Sequence, residues 1–220
     1  VLVFGSSGVG KTSFMNALTG GTMPTGSGAR GFTLESHEFR ASHDGVDYRI
    51  VDTAGLNEAD HGAVSGIDAV KGLVRLLKRT EDGLNLAIMV VPQGRIHAST
   101  MSNYTLFVEE MMSIMVPLLI VVTYWEREDG DMQRWVHANR QDFISRGIRV
   151  KKMVATTFIS PKPEIDNIVA MNTKVDLSVQ LSWDTIRTCA TAQRVDFMGQ
   201  GGGFKETARK MYNSVARHIG

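Results

Sequence analysis

The stretch that decides the fold is VLVFGSSGVGKT, residues 1–12. Its first four residues are apolar and predict a short buried strand, while the apolar spacing of residues 11–18 predicts a helix. Between strand and helix, the spacing G-x-x-x-x-G-K-T is that of a backbone loop that wraps around phosphate groups. A chance glycine-rich turn is the alternative, but the strand and the helix that the motif requires are both in place. The segment therefore predicts a phosphate site.

Each residue type in this loop has a chemical reason. Gly8 and Gly10 allow the backbone to curl so that its N–H groups point at a β-phosphate, and the N-terminus of the following helix adds a favourable dipole. Lys11 is expected to reach the β- and γ-phosphates, Thr12 to bind Mg²⁺ through its hydroxyl, and Ser13 to donate to the α-phosphate. The expected nucleotide-binding residues of the loop are Ser6, Ser7, Gly8, Val9, Gly10, Lys11, Thr12 and Ser13.

Apolar runs alternate with amphipathic segments along the rest of the chain. Residues 33–39 and 46–51 predict a hairpin that turns at His43-Asp44-Gly45. Further strands are predicted at 86–91, 118–122 and 150–158, and helices at 67–77, 100–114, 132–144, 175–190 and 205–218. Because strands separated by helices pair in parallel, we expect a three-layer α/β domain of about six strands, with one antiparallel edge strand and helices on both faces.

Size and composition describe one ordinary globular domain. A chain of 220 residues, 43% of them hydrophobic, is long enough for one sizeable core and short for two. We expect residues 1–158 to form the core of the domain. Residues 159–220 are expected to be a helical part of the same domain, with a flexible glycine-rich loop at 199–203.

The charge balance and the cysteine count limit the partners. Lys and Arg number 24 against 23 Asp and Glu, so the net charge of +1 favours neither nucleic acid nor an anionic membrane. The single cysteine, Cys189, excludes an internal disulfide and favours a reducing, cytoplasmic compartment. The longest apolar run, 114–122, is shorter than the roughly 20 residues of a membrane span. Because the sequence begins at Val1 inside a predicted strand, we expect a longer chain, and any membrane attachment outside this segment.

A second motif, Asp52-Thr53-Ala54-Gly55, follows the predicted strand at 46–51. An acid at the carboxyl end of a parallel strand lies beside the phosphate loop, where it can hold Mg²⁺ through a water molecule. The N–H group of Gly55 is expected to donate to the γ-phosphate. Alone the four residues are an ordinary turn sequence, and their place at a strand end makes them a candidate metal and phosphate site.

The glycine-rich segment 26–33 ends in Thr33. We expect Thr33 to join Thr12 and Asp52 around Mg²⁺ and the γ-phosphate in the triphosphate state, and an ordinary threonine at a strand entry is the alternative. The loops at 26–33 and 55–66 are therefore expected to change conformation with the γ-phosphate.

These elements, in this order, resemble the GTPase superfamily of phosphate-loop proteins. The segment VVPQGRI, residues 90–96, resembles the Gly-Arg box of the immunity-associated nucleotide-binding GTPases (the GIMAP or IAN group), in the septin-related branch. The resemblance implies a homodimer paired across the nucleotide sites, with Arg95 presented to the partner's nucleotide, where a guanidinium neutralises transition-state charge. A surface arginine that caps a helix or pairs with Glu109 or Glu110 is the alternative.

The residue after Gly55 is Leu56. The regulatory GTPases that this chain resembles often carry Gln at this position, where it orients the attacking water. Leucine cannot orient water, so the positioning group would come from Glu58, His61, the backbone or a partner subunit. The sequence therefore predicts slow hydrolysis by the monomer. The residues expected to act in catalysis are Lys11, Thr33, Gly55 and Arg95.

Base recognition is expected after the strand at 118–122. Thr123-Tyr124-Trp125-Glu126 stands where GTPases generally carry Asn/Thr-Lys-x-Asp, with Tyr124 in place of the lysine. The resemblance implies that Thr123 and Glu126 contact the base and that Thr156 belongs to the loop behind it. A carboxylate selects guanine because adenine offers no donor at N1. Asp176, in Thr173-Lys174-Val175-Asp176, is the alternative acid.

Together these features predict a Mg²⁺-dependent guanine-nucleotide-binding GTPase whose ligands are GTP and GDP. Two alternatives remain at this point. One is an ATP-using phosphate-loop protein such as a kinase, although no lid cluster of arginines is visible. The other is an assembly module with negligible catalysis, in which bound GTP stabilises a dimer, and Leu56 is compatible with it.

Overall fold

The computed structural model describes residues 1–21, 36–53, 66–126, 131–158, 168–200 and 203–219. Within them, one sheet contains the strands β1 (Leu2–Phe4), β2 (Ser36–His43), β3 (Val46–Thr53), β4 (Ala87–Pro92), β5 (Leu118–Thr123) and β6 (Lys152–Ala155). Their order in the sheet is β2-β3-β1-β4-β5-β6. All neighbours pair in parallel except the edge strand β2, which is antiparallel to β3. This arrangement confirms the predicted sheet.

The β2–β3 hairpin turns where the sequence predicts. His43 pairs with Val46, and the two residues between them, Asp44 and Gly45, have φ angles of 48° and 73°. Two successive residues with positive φ form the turn that matches the twist of the flanking strands, and Asp-Gly is a preferred sequence for it. The expected first residues of β2, 33–35, lie outside the described part.

Helices cover both faces of the sheet. They are α1 (Lys11–Thr19), α2 (Gly66–Arg79), α3 (Ala98–Asn103), a π-helix (Tyr104–Met111), α4 (Met132–Ser145), α5 (Ile168–Cys189), α6 (Phe197–Gln200) and α7 (Gly203–Ile219). Alternate residues of the central strands divide the core in two. Met89 of β4 packs in a cluster with α2, the π-helix, α4, α6 and α7, whereas Ile88 and Val90 pack with α1 and α5. The sheet is therefore apolar on both faces, as a central parallel sheet requires.

Three local predictions are wrong. The single α-helix expected at 100–114 is α3 followed by the π-helix, in which Met112 N donates to Phe107 O five residues earlier. The same apolar residues are buried in either helix type, so periodicity could not separate them. The strand expected to run to residue 158 ends at Ala155. The loop expected at 199–203 overlaps α6, since residues 199 and 200 are helical and Gly199 N donates to Asp196 Oδ1 (2.7 Å).

The alternative acid Asp176 lies inside α5, not at a strand end. The helix begins at Ile168, so Thr173-Lys174-Val175-Asp176 has helical neighbours on both sides. The ground for considering it as a base-recognition motif is thereby removed. Among the described residues, none of the helices has both the length and the apolar character that crossing a bilayer demands.

Candidate nucleotide site

The parallel strands end along one edge of the sheet, and every described candidate residue lies there. The loop of residues 5–10 follows β1, which has β3 on one side and β4 on the other. The chain leaves β1 towards β2 and β3 and later returns to β4 across it, so this loop lies at the point where the strand order reverses. Ligands of open α/β sheets bind in the crevice at such a point.

The backbone geometry of the loop requires glycine at three positions. Gly5 has a φ of 147°, and a Cβ atom on it would lie 2.3 Å from the carbonyl oxygen of Val90. Only glycine allows the loop to pass so close to β4. Gly8 and Gly10 have φ angles of 72° and 91°, which an L side chain rarely adopts, and Gly10 is the N-cap of α1. The backbone curl that the motif predicts is therefore present.

Lys11 lies over its own loop. Its Nζ donates to the carbonyl oxygens of Gly5 (2.8 Å) and Ser6 (2.7 Å), and the residue is 8% exposed. These bonds hold an ammonium group above the loop, where it can meet an anion. Thr12 and Ser13 follow on α1 and are half-buried, while Ser7 and Gly8 are exposed.

Asp52 is a buried acid next to the end of β3. It is 4% exposed, and its Oδ1 has no hydrogen-bond partner among the described residues. Burial raises the pKa of this carboxyl group, and the Lys11 charge opposes that rise. A buried carboxylate oxygen without a partner is costly unless a cation or donor meets it. Together with the Thr12 hydroxyl, it offers the hard oxygen ligands that Mg²⁺ prefers, so the residues present fit a magnesium site.

Two side chains from other elements hold the loop. The Thr123 hydroxyl, at the end of β5, donates to Val9 O (2.7 Å) and lies 3.1 Å from Val91 O. Thr123 was expected to contact the base, but this hydroxyl is engaged with the loop. Asn103 Nδ2 of α3 donates to Ser6 Oγ (3.1 Å). Asn103 was not among the residues expected from the sequence, although an asparagine among apolar positions of a predicted helix is the signal that could have identified it.

After β5, where base recognition is expected, Glu126 accepts a hydrogen bond through Oε2 from Thr157 Oγ1 (3.2 Å). Thr157 is fully buried, and its N–H group donates to Ser178 Oγ (3.0 Å) on α5. Thr156, the residue that was expected here, instead extends the sheet: its N–H and hydroxyl groups lie 2.8 and 3.2 Å from Val122 O. The structure thus brings Thr157, and not Thr156, against Glu126.

The two residues before Glu126 differ sharply in burial. Tyr124 is 38% exposed and has a φ of 72°, while Trp125 is 5% exposed and packs edge-on against Trp135 of α4, with ring centroids 5.9 Å apart. Burial, and after it the Glu126 charge, raises the pKa of the Tyr124 phenol. Tyr124, which takes the place of a lysine, is therefore at the surface next to the acid.

Arg95 is exposed in the segment between β4 and α3. This segment begins beside β5, since Gln93 N donates to Thr123 O (3.0 Å). Within the described residues Arg95 makes no ion pair with Glu109 or Glu110. The remaining candidates, Thr33 and Gly55, and the residues 54–65 that include Leu56, lie outside the described part of the chain.

A family model described as "50S ribosome-binding GTPase" matches residues 1–124, more than half of the chain. The tRNA modification GTPase MnmE of Dinoroseobacter shibae is 32% identical over 96 residues, which are 44% of this chain and 21% of that protein. GTPase Der of Microcystis aeruginosa is 32% identical over 110 residues, covering 43% of this chain and 24% of Der. The matched part is thus less than a quarter of either relative.

Solved structures agree on the fold. Era in complex with MgGDPNP and a segment of 16S ribosomal RNA covers 88% of this chain and 57% of its own, with a TM-score of 0.57 and 13% identity. Toc33 from Arabidopsis thaliana, a dimerization-deficient arginine-to-alanine mutant, covers 86% of this chain and 85% of its own, with a TM-score of 0.55 and 16% identity. The chain belongs to the family of 50S ribosome-binding GTPases, GTP-binding proteins with a phosphate loop.

Proposed function

We propose that this chain is a Mg²⁺-dependent guanine-nucleotide switch that hydrolyses GTP slowly as a monomer. The proposal rests on two groups that occur together at the site. Lys11 is held over the loop by Gly5 O and Ser6 O, and the buried Oδ1 of Asp52 has no hydrogen-bond partner among the described residues. A fixed cation and a carboxylate at one loop are what a nucleoside polyphosphate with its metal requires.

In this proposal each residue of the phosphate end has one task. The N–H groups of residues 8–12 bind the β-phosphate at the N-terminus of α1. Lys11, oriented by its two carbonyl bonds, would donate to a phosphate oxygen. Thr12 and Asp52 would hold Mg²⁺, Asp52 through water, and Thr33 would join them in the triphosphate state. The metal, when bound, neutralises charge on the β- and γ-phosphates.

At the base end, Glu126 accepts the N1 and N2 protons of guanine. The Thr157 hydroxyl supports this role because its bond to Oε2 fixes the carboxylate and leaves Oε1 free to accept. Adenine carries no proton at N1, so it would leave a carboxylate oxygen unpaired, which costs about 1–3 kcal/mol.

The finer features of the switch rest on the sequence. Gly55 would donate to the γ-phosphate, and the loops at 26–33 and 55–66 would follow its presence. Leu56 offers no group to orient water, so hydrolysis would be stimulated when two copies pair across their nucleotide sites and Arg95 reaches the partner's nucleotide. The exposure of Arg95 supports this idea, and so does the arginine-to-alanine mutant of Toc33, which is dimerization-deficient. The resemblance of residues 90–96 to the Gly-Arg box supports a relationship to the immunity-associated, septin-related GTPases as part of this proposal.

We also propose that residues 1–158 form the core of the domain and residues 159–220 a helical part of it. The single cysteine supports a cytoplasmic location. No nucleic-acid partner is proposed, because a net charge of +1 supplies no general attraction for phosphate backbones.

Calorimetry with GTP, GDP and ATP, with and without Mg²⁺, read beside the dimer fraction, tests the proposal. We expect GTP and GDP to bind at least tenfold more tightly than ATP, the discrimination of about one unpaired polar group. Turnover per chain should rise with protein concentration. Preference for ATP would contradict guanine recognition by Glu126. A GTP-bound dimer without turnover would favour the assembly module, and fast, concentration-independent turnover would refute the role of pairing.

A further inference from the structure

Asn103, the last residue of α3, is a buried amide directed at the phosphate loop. It is 2% exposed, and its Nδ2 donates to Ser6 Oγ (3.1 Å) and to the backbone oxygen of Ser99 (2.9 Å). The second bond is an ordinary contact to the residue four positions earlier in the helix. The first reaches across 97 positions of the sequence, so Asn103 joins α3 directly to the loop.

The contact continues to the ammonium group of the site. Ser6, which accepts from Asn103 through its hydroxyl, also accepts from Lys11 Nζ through its carbonyl oxygen (2.7 Å). A shift of Ser6 therefore moves one of the two oxygens that orient Lys11. Thr123 of β5 also donates to Val9 O, so the loop is supported at two points by side chains from different elements.

Packing does not replace the Asn103 contact. A cavity lies beside this contact, lined by Gly5, Ser6 and Val9 of the loop, by residues 89–92 of β4, and by Ser99, Thr100 and Asn103 of α3. Side chains across a cavity lose van der Waals contact with each other. Asn103 and Ser6 both line this cavity, so their hydrogen bond lies where fewer packing contacts join α3 to the loop.

The helix end that carries Asn103 is firmly anchored. Tyr104 follows it and begins the π-helix; its side chain is 1% exposed and its hydroxyl accepts a hydrogen bond from Arg149 N (3.0 Å). π-Helical turns within helices are frequent at functional sites, because the wider turn changes the direction in which side chains point. A rigid support at this end allows Asn103 to hold a backbone loop in place.

We propose that Asn103 is a positioning residue for the nucleotide phosphates, acting through Ser6 on the carbonyl that orients Lys11. This inference rests on the proposed function, since it concerns the same phosphate site. It assigns a role to α3, which has none in the motifs of the sequence.

The test is a double-mutant cycle on the full chain with GDP and ADP as probes. Asn103→Ala and Ser6→Ala should each weaken binding of the preferred nucleotide about threefold to tenfold, the range for one ordinary hydrogen bond. The double variant should bind the nucleotide as tightly as the weaker-binding single variant, because each single change already removes the same Asn103–Ser6 hydrogen bond. Asn139→Ala is the matched control: Asn139 Nδ2 makes the same bond within a helix, to Trp135 O (2.8 Å) of α4, and should not change binding.

Thermal unfolding without nucleotide separates this role from a structural one. If Asn103→Ala is unfolded, the cycle is run with Asn103→Leu, which removes the amide and keeps the branched shape of the side chain. Additive effects of the two single changes, or an Asn103 variant that binds like the Asn139 control, would overturn the inference alone. A wild-type chain that binds neither GDP nor ADP would overturn the proposed function together with it.

Discussion

The phosphate end and the base end of the site are built differently. The phosphate end comes from consecutive residues, and Lys11 is oriented by carbonyls five and six positions earlier. The base end joins three distant segments: Glu126 after β5, Thr157 after β6 and Ser178 on α5. A local loop keeps its chemistry wherever its strand and helix form, whereas an assembled pocket depends on the packing of α5.

This difference divides the work of binding. The phosphate end offers a charged group and backbone donors to any nucleoside polyphosphate, so it should supply most of the affinity. The base end offers one carboxylate and should supply selectivity. Four substitutions test this division.

The largest effect is expected from Lys11→Met. It removes the ammonium and leaves Gly5 O and Ser6 O without their donor, so binding of GTP, GDP and ATP should each weaken about 10- to 100-fold, the range for hydrogen bonds to a charged group. Calorimetry measures it, with Lys205→Met, an exposed lysine of α7, as the control. Weaker binding of guanine nucleotides alone would contradict the division.

Glu126→Gln should act on selectivity. The amide presents a donor towards the guanine N1 and N2 protons, so the preference for GDP over ADP should fall about tenfold, as expected for one unpaired polar contact. Thr157→Val should lower the preference less, since it removes only the hydrogen bond that orients the Glu126 carboxylate and leaves the carboxylate in place. Asp176→Asn is the control, because this residue lies within α5. If the control lowers selectivity and Glu126→Gln does not, the base end has been assigned to the wrong acid.

Asp52→Asn tests whether the buried Asp52 carboxylate lacks a partner in the folded chain when no metal is bound. Because burial raises the pKa of this carboxyl group above its unfolded value, the wild-type free energy of unfolding falls as pH rises from the unfolded to the folded pKa. In EDTA the variant should therefore be more stable than the wild type at pH 7 and lose this advantage towards pH 3. Denaturant unfolding across this range measures it.

The same variant should bind GTP with little response to Mg²⁺. A variant that is less stable than the wild type at pH 7 would mean that the Asp52 carboxylate is satisfied in the folded chain.

The smallest effect concerns Tyr124. Burial and the Glu126 charge both raise the pKa of its phenol, so Glu126→Gln should lower that pKa while leaving it above the ordinary value of a tyrosine. Ultraviolet titration, with Tyr124→Phe subtracted to isolate this residue from the other tyrosines, follows the change. An unaltered pKa would separate the phenol from the acid and weaken the picture of a compact base end.

The contrast between the two ends also shows which features could be predicted from the sequence and which could not. The strand, loop and helix of residues 1–19 follow from spacing and glycine content, and the Asp44-Gly45 turn follows from its positive φ requirement. The division of the third helix was missed because α- and π-helices bury the same apolar residues there. Thr157 could not be distinguished from Thr156, since neighbouring threonines have the same chemistry. Both are fully buried, and only the end of the β6 ladder decides which hydroxyl faces Glu126.

The phosphate end of this protein follows from local sequence, because a loop of eight consecutive residues carries its own backbone geometry and charge. The order of strands and helices along the chain follows from local sequence as well. The distant residues that support the loop, Asn103 and Thr123, and the hydroxyl that meets Glu126 depend on tertiary packing. Those contacts join residues 31 to 114 positions apart, and such pairings are set by how the sheet and its helices pack, not by local preference.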